Sequence, residues 1–124
     1  MTAIHPLVSI VDDDESVRES LPDLVRELGF RAEAFSSAEQ FLGSDIIEET
    51  DCLVLDVHMP GMTGPDLERE LARRGQSIPI VFITAPRDEA VRPILLEGRA
   101  AGCLLKPFSD VALQKAIDFA LEAD

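Results

Sequence analysis

Asp12, Asp13 and Asp56 supply carboxylates, Thr84 a hydroxyl and Lys106 an ammonium, the side-chain types that phosphoryl transfer onto a carboxylate needs. Carboxylates held within a few ångströms repel one another, by about 4 kcal/mol per pair at ~4 Å and an effective dielectric of ~20. A hard cation relieves that repulsion, and Mg²⁺ takes octahedral oxygen ligands from carboxylates, water and phosphate. An Asp can also attack phosphorus and form an aspartyl phosphate. Phosphoryl transfer then requires its oxygens to be neutralised and held in line. A metal, the Lys106 ammonium and the Thr84 hydroxyl could each take one of them. Each residue alone has a plainer reading. Asp12 to Asp14 could be a solvated loop and helix cap, and Asp56 a turn residue before a Gly/Pro loop. Thr84 could be a strand-end hydroxyl, Lys106 a surface lysine and His58 a loop side chain. Their positions relative to the surrounding elements decide between the two.

Residues 7–11 form a short apolar run that suits a buried strand, and Asp12-Asp13-Asp14-Glu15 follows at once. Val17, Leu21, Leu24, Val25 and Leu28 then recur at helical spacing, with Gly29 as a stop. Pro22 falls inside that helix and should kink it. Residues 31–35 predict a weaker strand. Ser36 or Ser37 can cap a short helix ending near Gly43, and the acidic stretch 45–50 has no clear structure. The run 52–55 ends at Asp56. A Gly- and Pro-rich loop, 58–65, leads into a helix of about ten residues ending at Gly75. The run 80–83 ends at Thr84, a helix is expected over 89–98, and 102–105 predicts a last strand ending at Lys106. Ser109 caps a terminal helix with Leu113, Ala116, Ile117, Ala120 and Leu121 on one face. Strand then helix, five times over, predicts a doubly wound α/β domain with a five-stranded parallel sheet and five helices. In such a sheet the carboxyl ends of the strands share one edge, where ligands bind. Asp12, Asp13, Asp56, Thr84 and Lys106 should therefore converge there.

A chain of 124 residues suits a single domain, taken here as 1–124, and 46% hydrophobic residues argue against disorder. No apolar run approaches the ~20 residues of a membrane span, and the first six residues lack the features of a signal peptide, so a cytoplasmic location is expected. The formal charge of −13 disfavours direct binding to nucleic acid. Cys52 and Cys103 have no metal or redox spacing and read as buried thiols.

The chain resembles the response-regulator receiver domain, a CheY-like superfamily, over nearly its full length. The matching segments are Ile10-Val11-Asp12-Asp13, Leu55-Asp56-Val57-His58-Met59-Pro60-Gly61-Met62-Thr63-Gly64, Ile83-Thr84-Ala85 and Lys106-Pro107-Phe108. The wording from Asp56 to Gly64 looks most like the FixJ-like branch. The resemblance implies a flavodoxin-like fold with strand order 2-1-3-4-5, an order the family is known to share. It implies Asp56 as the phosphoacceptor, Asp12 and Asp13 as Mg²⁺ ligands (Asp13 the more direct) and the His58 backbone carbonyl as a further ligand. Thr84 would turn towards the phosphoryl oxygen, Lys106 would pair with it, and the Lys106–Pro107 bond would be cis. The phosphoryl donor would be a sensor histidine kinase or a phosphotransfer protein. The recipient of the signal would be an output domain or a downstream protein, and the chain would be a monomer or a phosphorylation-dependent dimer. On this reading the protein is not an enzyme beyond catalysing its own phosphorylation and dephosphorylation at Asp56. Four departures lie between Thr84 and Lys106. Cys103 stands where receivers usually carry Tyr or Phe, Arg99 where they usually carry Gly, and Pro86 and Pro93 are unusual in their places. Two rival readings are a phosphorylation-independent receiver-like interaction module and a small Mg²⁺-dependent phosphohydrolase, the latter because Asp12-Asp13-Asp14 loosely fits an Asp-x-Asp nucleophile motif. A nucleotide-binding flavodoxin relative fits less well, because carboxylates follow the first strand where a phosphate cradle would want glycines.

Overall fold

A computed structural model describes residues 5–84, 102–106 and 108–122. Five strands form one parallel sheet: β1 (Leu7–Val11), β2 (Arg31–Phe35), β3 (Cys52–Asp56), β4 (Ile80–Thr84) and β5 (Gly102–Leu105). Their order is β2-β1-β3-β4-β5, as the resemblance implied. Four α-helices lie among the described residues: α1 (Glu15–Glu27), α2 (Ala38–Leu42), α3 (Gly64–Arg73) and α4 (Asp110–Glu122). The helix expected over 89–98, with Pro86, Pro93 and Arg99, lies outside the described residues, as do Pro107 and the isomer of the bond before it.

Strands β1, β3 and β4 are buried at every position, which is why they read as unbroken apolar runs. Their side chains alternate between two cores. On one face Val8, Ile10, Cys52, Val54, Val81 and Ile83 pack with Leu21 and Val25 of α1 and with Leu113 and Ile117 of α4. On the other, Val11, Leu53, Leu55, Ile80 and Phe82 pack with Ala38 and Phe41 of α2 and with Leu67 and Leu71 of α3. β2 is an edge strand and exposes Arg31 and Glu33. That half-exposed pattern explains its weak apolar signal.

The helix ends follow local chemistry. Asp14 caps α1 by accepting the Ser16 N–H at 2.9 Å, and Gly29 leaves the helix at φ +101°. Pro22 is buried within α1, and the helix runs through it unbroken. Ser37 caps α2 and Ser109 caps α4. Residues Asp45–Glu49, unassigned from sequence, form a short 3-10 helix. Thr50 donates to the Ile46 carbonyl at 2.8 Å. Its single proton being so used, the buried 2.7 Å contact between Ser9 and Thr50 has Ser9 as the donor. Ser9 is thus satisfied within an otherwise apolar strand, and the 3-10 helix is tied to β1.

Candidate functional site

β1, β3 and β4 end at one edge of the sheet, and each delivers a polar side chain there. Asp12 directly follows β1 and is fully buried. Its backbone N–H continues the pairing with β2 by donating to the Phe35 carbonyl at 3.1 Å. One carboxylate oxygen accepts the Asp14 N–H at 2.9 Å, and the other lies 3.2 Å from the Lys106 ammonium. Asp56 is the last residue of β3, 5% exposed, and Lys106 Nζ lies 3.6 Å from its Oδ1. Asp13 is exposed, yet Asp12, Asp13 and Asp56 each offer an oxygen within 4.8 Å of the others. Thr84 ends β4, is buried, and accepts the Lys106 backbone N–H at 2.7 Å through its carbonyl. His58 is exposed in the loop two residues after Asp56. The fold therefore brings Asp12, Asp13, Asp56 and Lys106 together, with Thr84 on the same edge and His58 in the loop beside it.

The electrostatics follow from that crowding. Burial pushes the Asp56 carboxyl up to about 7; the Asp12 charge adds to the rise, Lys106 opposes it, and Asp13 adds further. For Lys106, partial burial works against the ammonium, but the Asp12 and Asp56 charges outweigh it and the pKa is raised. Three carboxylates thus cluster, and one ammonium, held against Asp12 and Asp56, offsets their charge. An excess of negative oxygen donors, close together and partly dry, fits a hard divalent cation such as Mg²⁺.

Other contacts shape this edge and were not picked out from the sequence. Arg18, one turn into α1, donates to the Asp12 carbonyl at 3.1 Å. Gly64 packs so tightly that a Cβ there would lie 2.6 Å from the Asp56 carbonyl oxygen. Thr63 and Asp66 form a capping box at the start of α3, which a Thr-x-x-Asp pattern before an apolar run signals. The expectation of two buried thiols holds for one only. Cys52 is buried, and burial and Asp51 push its thiol up to about 12. Cys103, on the edge strand β5, is exposed. Among the described residues no helix is long and apolar enough to cross a membrane.

Comparison with known proteins agrees with this geometry. The profile of the response regulator receiver domain family matches residues 8–118. Nodulation protein W of Bradyrhizobium diazoefficiens is 43% identical over 118 residues, which cover 95% of this chain and 52% of that protein. The transcriptional regulatory protein FixJ of Azorhizobium caulinodans is 36% identical over 110 residues, covering 89% of this chain and 52% of its own length. The chain spans about half the length of the curated relatives it matches. Among solved structures, FixJ-N superposes with a TM-score of 0.85 at 34% identity, covering 98% of this chain and 96% of that one. The response regulator StyR superposes with a TM-score of 0.87 at 44% identity, covering 96% of this chain and 60% of that one. This chain belongs to the response regulator receiver domain family, the receiver module of two-component signal transduction.

Proposed function

We propose that this receiver domain accepts a phosphoryl group on Asp56 from a histidine kinase or phosphotransfer protein, with Mg²⁺ held by Asp12, Asp13, Asp56 and the His58 carbonyl. The observation that supports it best is the convergence of three carboxylates and Lys106 at one sheet edge, with Asp56 at the end of the central strand β3. An Asp56 carboxylate oxygen attacks phosphorus. The bond from phosphorus to the donor's imidazole nitrogen breaks, and that nitrogen keeps the electron pair. The product is an acyl phosphate on Asp56. Mg²⁺, when bound, neutralises charge on the transferring phosphoryl oxygens. Lys106 pairs with one of those oxygens, and the Thr84 hydroxyl donates to another. Asp12, anchored at its backbone by Arg18 and Phe35, holds its carboxylate in place throughout. Hydrolysis of the acyl phosphate resets the site.

The described strands share one sheet, which supports a single receiver domain across the chain. An attached or separate output partner would read its state. Incubation with acetyl phosphate and Mg²⁺, followed by intact-mass measurement, tests the assignment. One phosphoryl adduct is expected in the wild type and none in Asp56→Ala. An adduct that persists in Asp56→Ala rejects Asp56 as the acceptor. Catalytic turnover of small phosphate esters with no adduct supports a phosphohydrolase instead, and no reaction of either kind supports a phosphorylation-independent interaction module.

A further inference from the structure

The loop between β3 and α3 is held at both ends by its own backbone. The Val57 N–H donates to the Ile83 carbonyl at 3.1 Å, and the Gly64 N–H donates to the Val57 carbonyl at 3.0 Å. Between those points the loop leans on α2. Met59 is buried in the same apolar cluster as Ala38 and Phe41. Glu39, in the first turn of α2, extends its Oε2 to the Met62 N–H at 3.3 Å. The same oxygen would lie 3.0 Å from a Cβ at Gly61, whose φ of +76° favours glycine. The carboxylate thus fits against a turn that glycine keeps open, three residues past His58 and five past Asp56.

From these contacts we infer that Glu39 is a positioning residue for the metal-binding edge. By accepting the Met62 N–H, it holds the loop that carries His58 in the shape the metal requires. The inference rests on the reading that the acidic edge binds Mg²⁺ through the His58 carbonyl. Glu39 makes no contact with the reacting atoms and acts through the loop. An acid in the first turn of α2 also favours the helix dipole. A purely structural role for Glu39 would therefore affect stability without touching the metal.

The test titrates Mg²⁺ into wild type, Glu39→Ala and Glu39→Gln, following the amide chemical shifts of Asp12, Asp13 and Asp14. Hydrogen exchange of the Met62 amide is measured in parallel. Loss of one hydrogen bond that shapes a ligand loop should raise the Mg²⁺ concentration for half-saturation by about threefold or more in Glu39→Ala. The Met62 amide should exchange faster in the same variant. Glu39→Gln keeps an acceptor oxygen and should restore both readouts towards wild type. An equal shift in Glu39→Gln and Glu39→Ala overturns the inference, because the carboxylate then acts through its charge. A released Met62 amide with an unchanged Mg²⁺ midpoint overturns it too, because the bond is then only structural. A wild type with no Mg²⁺-dependent shifts overturns the metal reading and this inference together. Glu39-dependent Mg²⁺ binding without any phosphate on Asp56 leaves the positioning role standing and rejects the phosphoacceptor reading alone.

Discussion

Asp56 is 5% exposed, with Asp12 beside it, and so holds a proton in the metal-free fold up to a pH of about 7. An unfolded Asp releases its proton near ~3.9. Between these values the folded state binds more protons than the unfolded state, so the contribution of Asp56 to stability falls as pH rises through that window. Melting temperatures of the metal-free protein across that range should show this slope, and Asp56→Asn should flatten it. An unchanged slope in Asp56→Asn contradicts the placement of the proton. On the proposed metal site, Mg²⁺ would compete with the same proton, so its affinity should weaken as pH drops below about 7. Asp13 adds a further charge to the cluster from an exposed position. Asp13→Asn should therefore stabilise the metal-free protein modestly, by roughly 1 kcal/mol at most given water-like screening, while weakening Mg²⁺ binding and abolishing phosphorylation. A melting temperature that ignores millimolar Mg²⁺, together with a lower value in Asp13→Asn, contradicts a metal site here.

The elements that carry these residues were legible to different degrees, for physical reasons. β1, β3 and β4 are covered on both faces, so their apolar runs are continuous and bounded by the very residues of the candidate site. β2 has one half-exposed face and shows in sequence only as a weak pattern. The 3-10 helix at Asp45–Glu49 was not legible, because it depends on Thr50 meeting Ser9, a contact between segments far apart in the chain. Gly64 was visible as part of a motif, but its reason is spatial. A side chain there would collide with the Asp56 carbonyl and would also sit 3.1 Å from Phe82. Gly64→Ala should therefore destabilise the domain by about 1–3 kcal/mol, the usual cost of overpacking, and slow phosphorylation by displacing Asp56. Chemical denaturation and the acetyl phosphate reaction measure the two effects. Wild-type values for both would mean the loop yields freely at this point.

At the scale of the whole molecule, strand order turns residues scattered from 12 to 106 into one edge. The order 2-1-3-4-5 came from the resemblance, since spacing alone does not set which strands are neighbours. Convergence of Asp12, Asp13, Asp56 and Lys106 then followed, whereas Glu39 and Arg18 have no sequence signal that links them to it. The resemblance places this chain's departures from its family on the side that would carry the output. Cys103 replaces the usual aromatic ring, and its side chain is exposed on β5. The resemblance implies that an inward movement at Thr84 would be matched by a movement of that ring. A ligand shifts an equilibrium only through its differential interaction with the two states. A cysteine offers little of that difference, so beryllofluoride should perturb β5 and α4 less here than in Cys103→Tyr. Amide shifts of residues 102–122 with and without beryllofluoride read this directly. Large changes in wild type, unaltered in Cys103→Tyr, would show that the ring is dispensable.

The central claim is that Asp56, and no other carboxylate of the cluster, takes the phosphoryl group. Borohydride reduces an acyl phosphate, so a phosphorylated aspartate is converted to homoserine and the site can be read by peptide mass spectrometry. After incubation with acetyl phosphate and Mg²⁺ and then borohydride, homoserine is expected at position 56 alone, and chelation of Mg²⁺ should abolish it. Homoserine at position 12 or 13, or none at any position from a folded, Mg²⁺-loaded sample, would contradict the account.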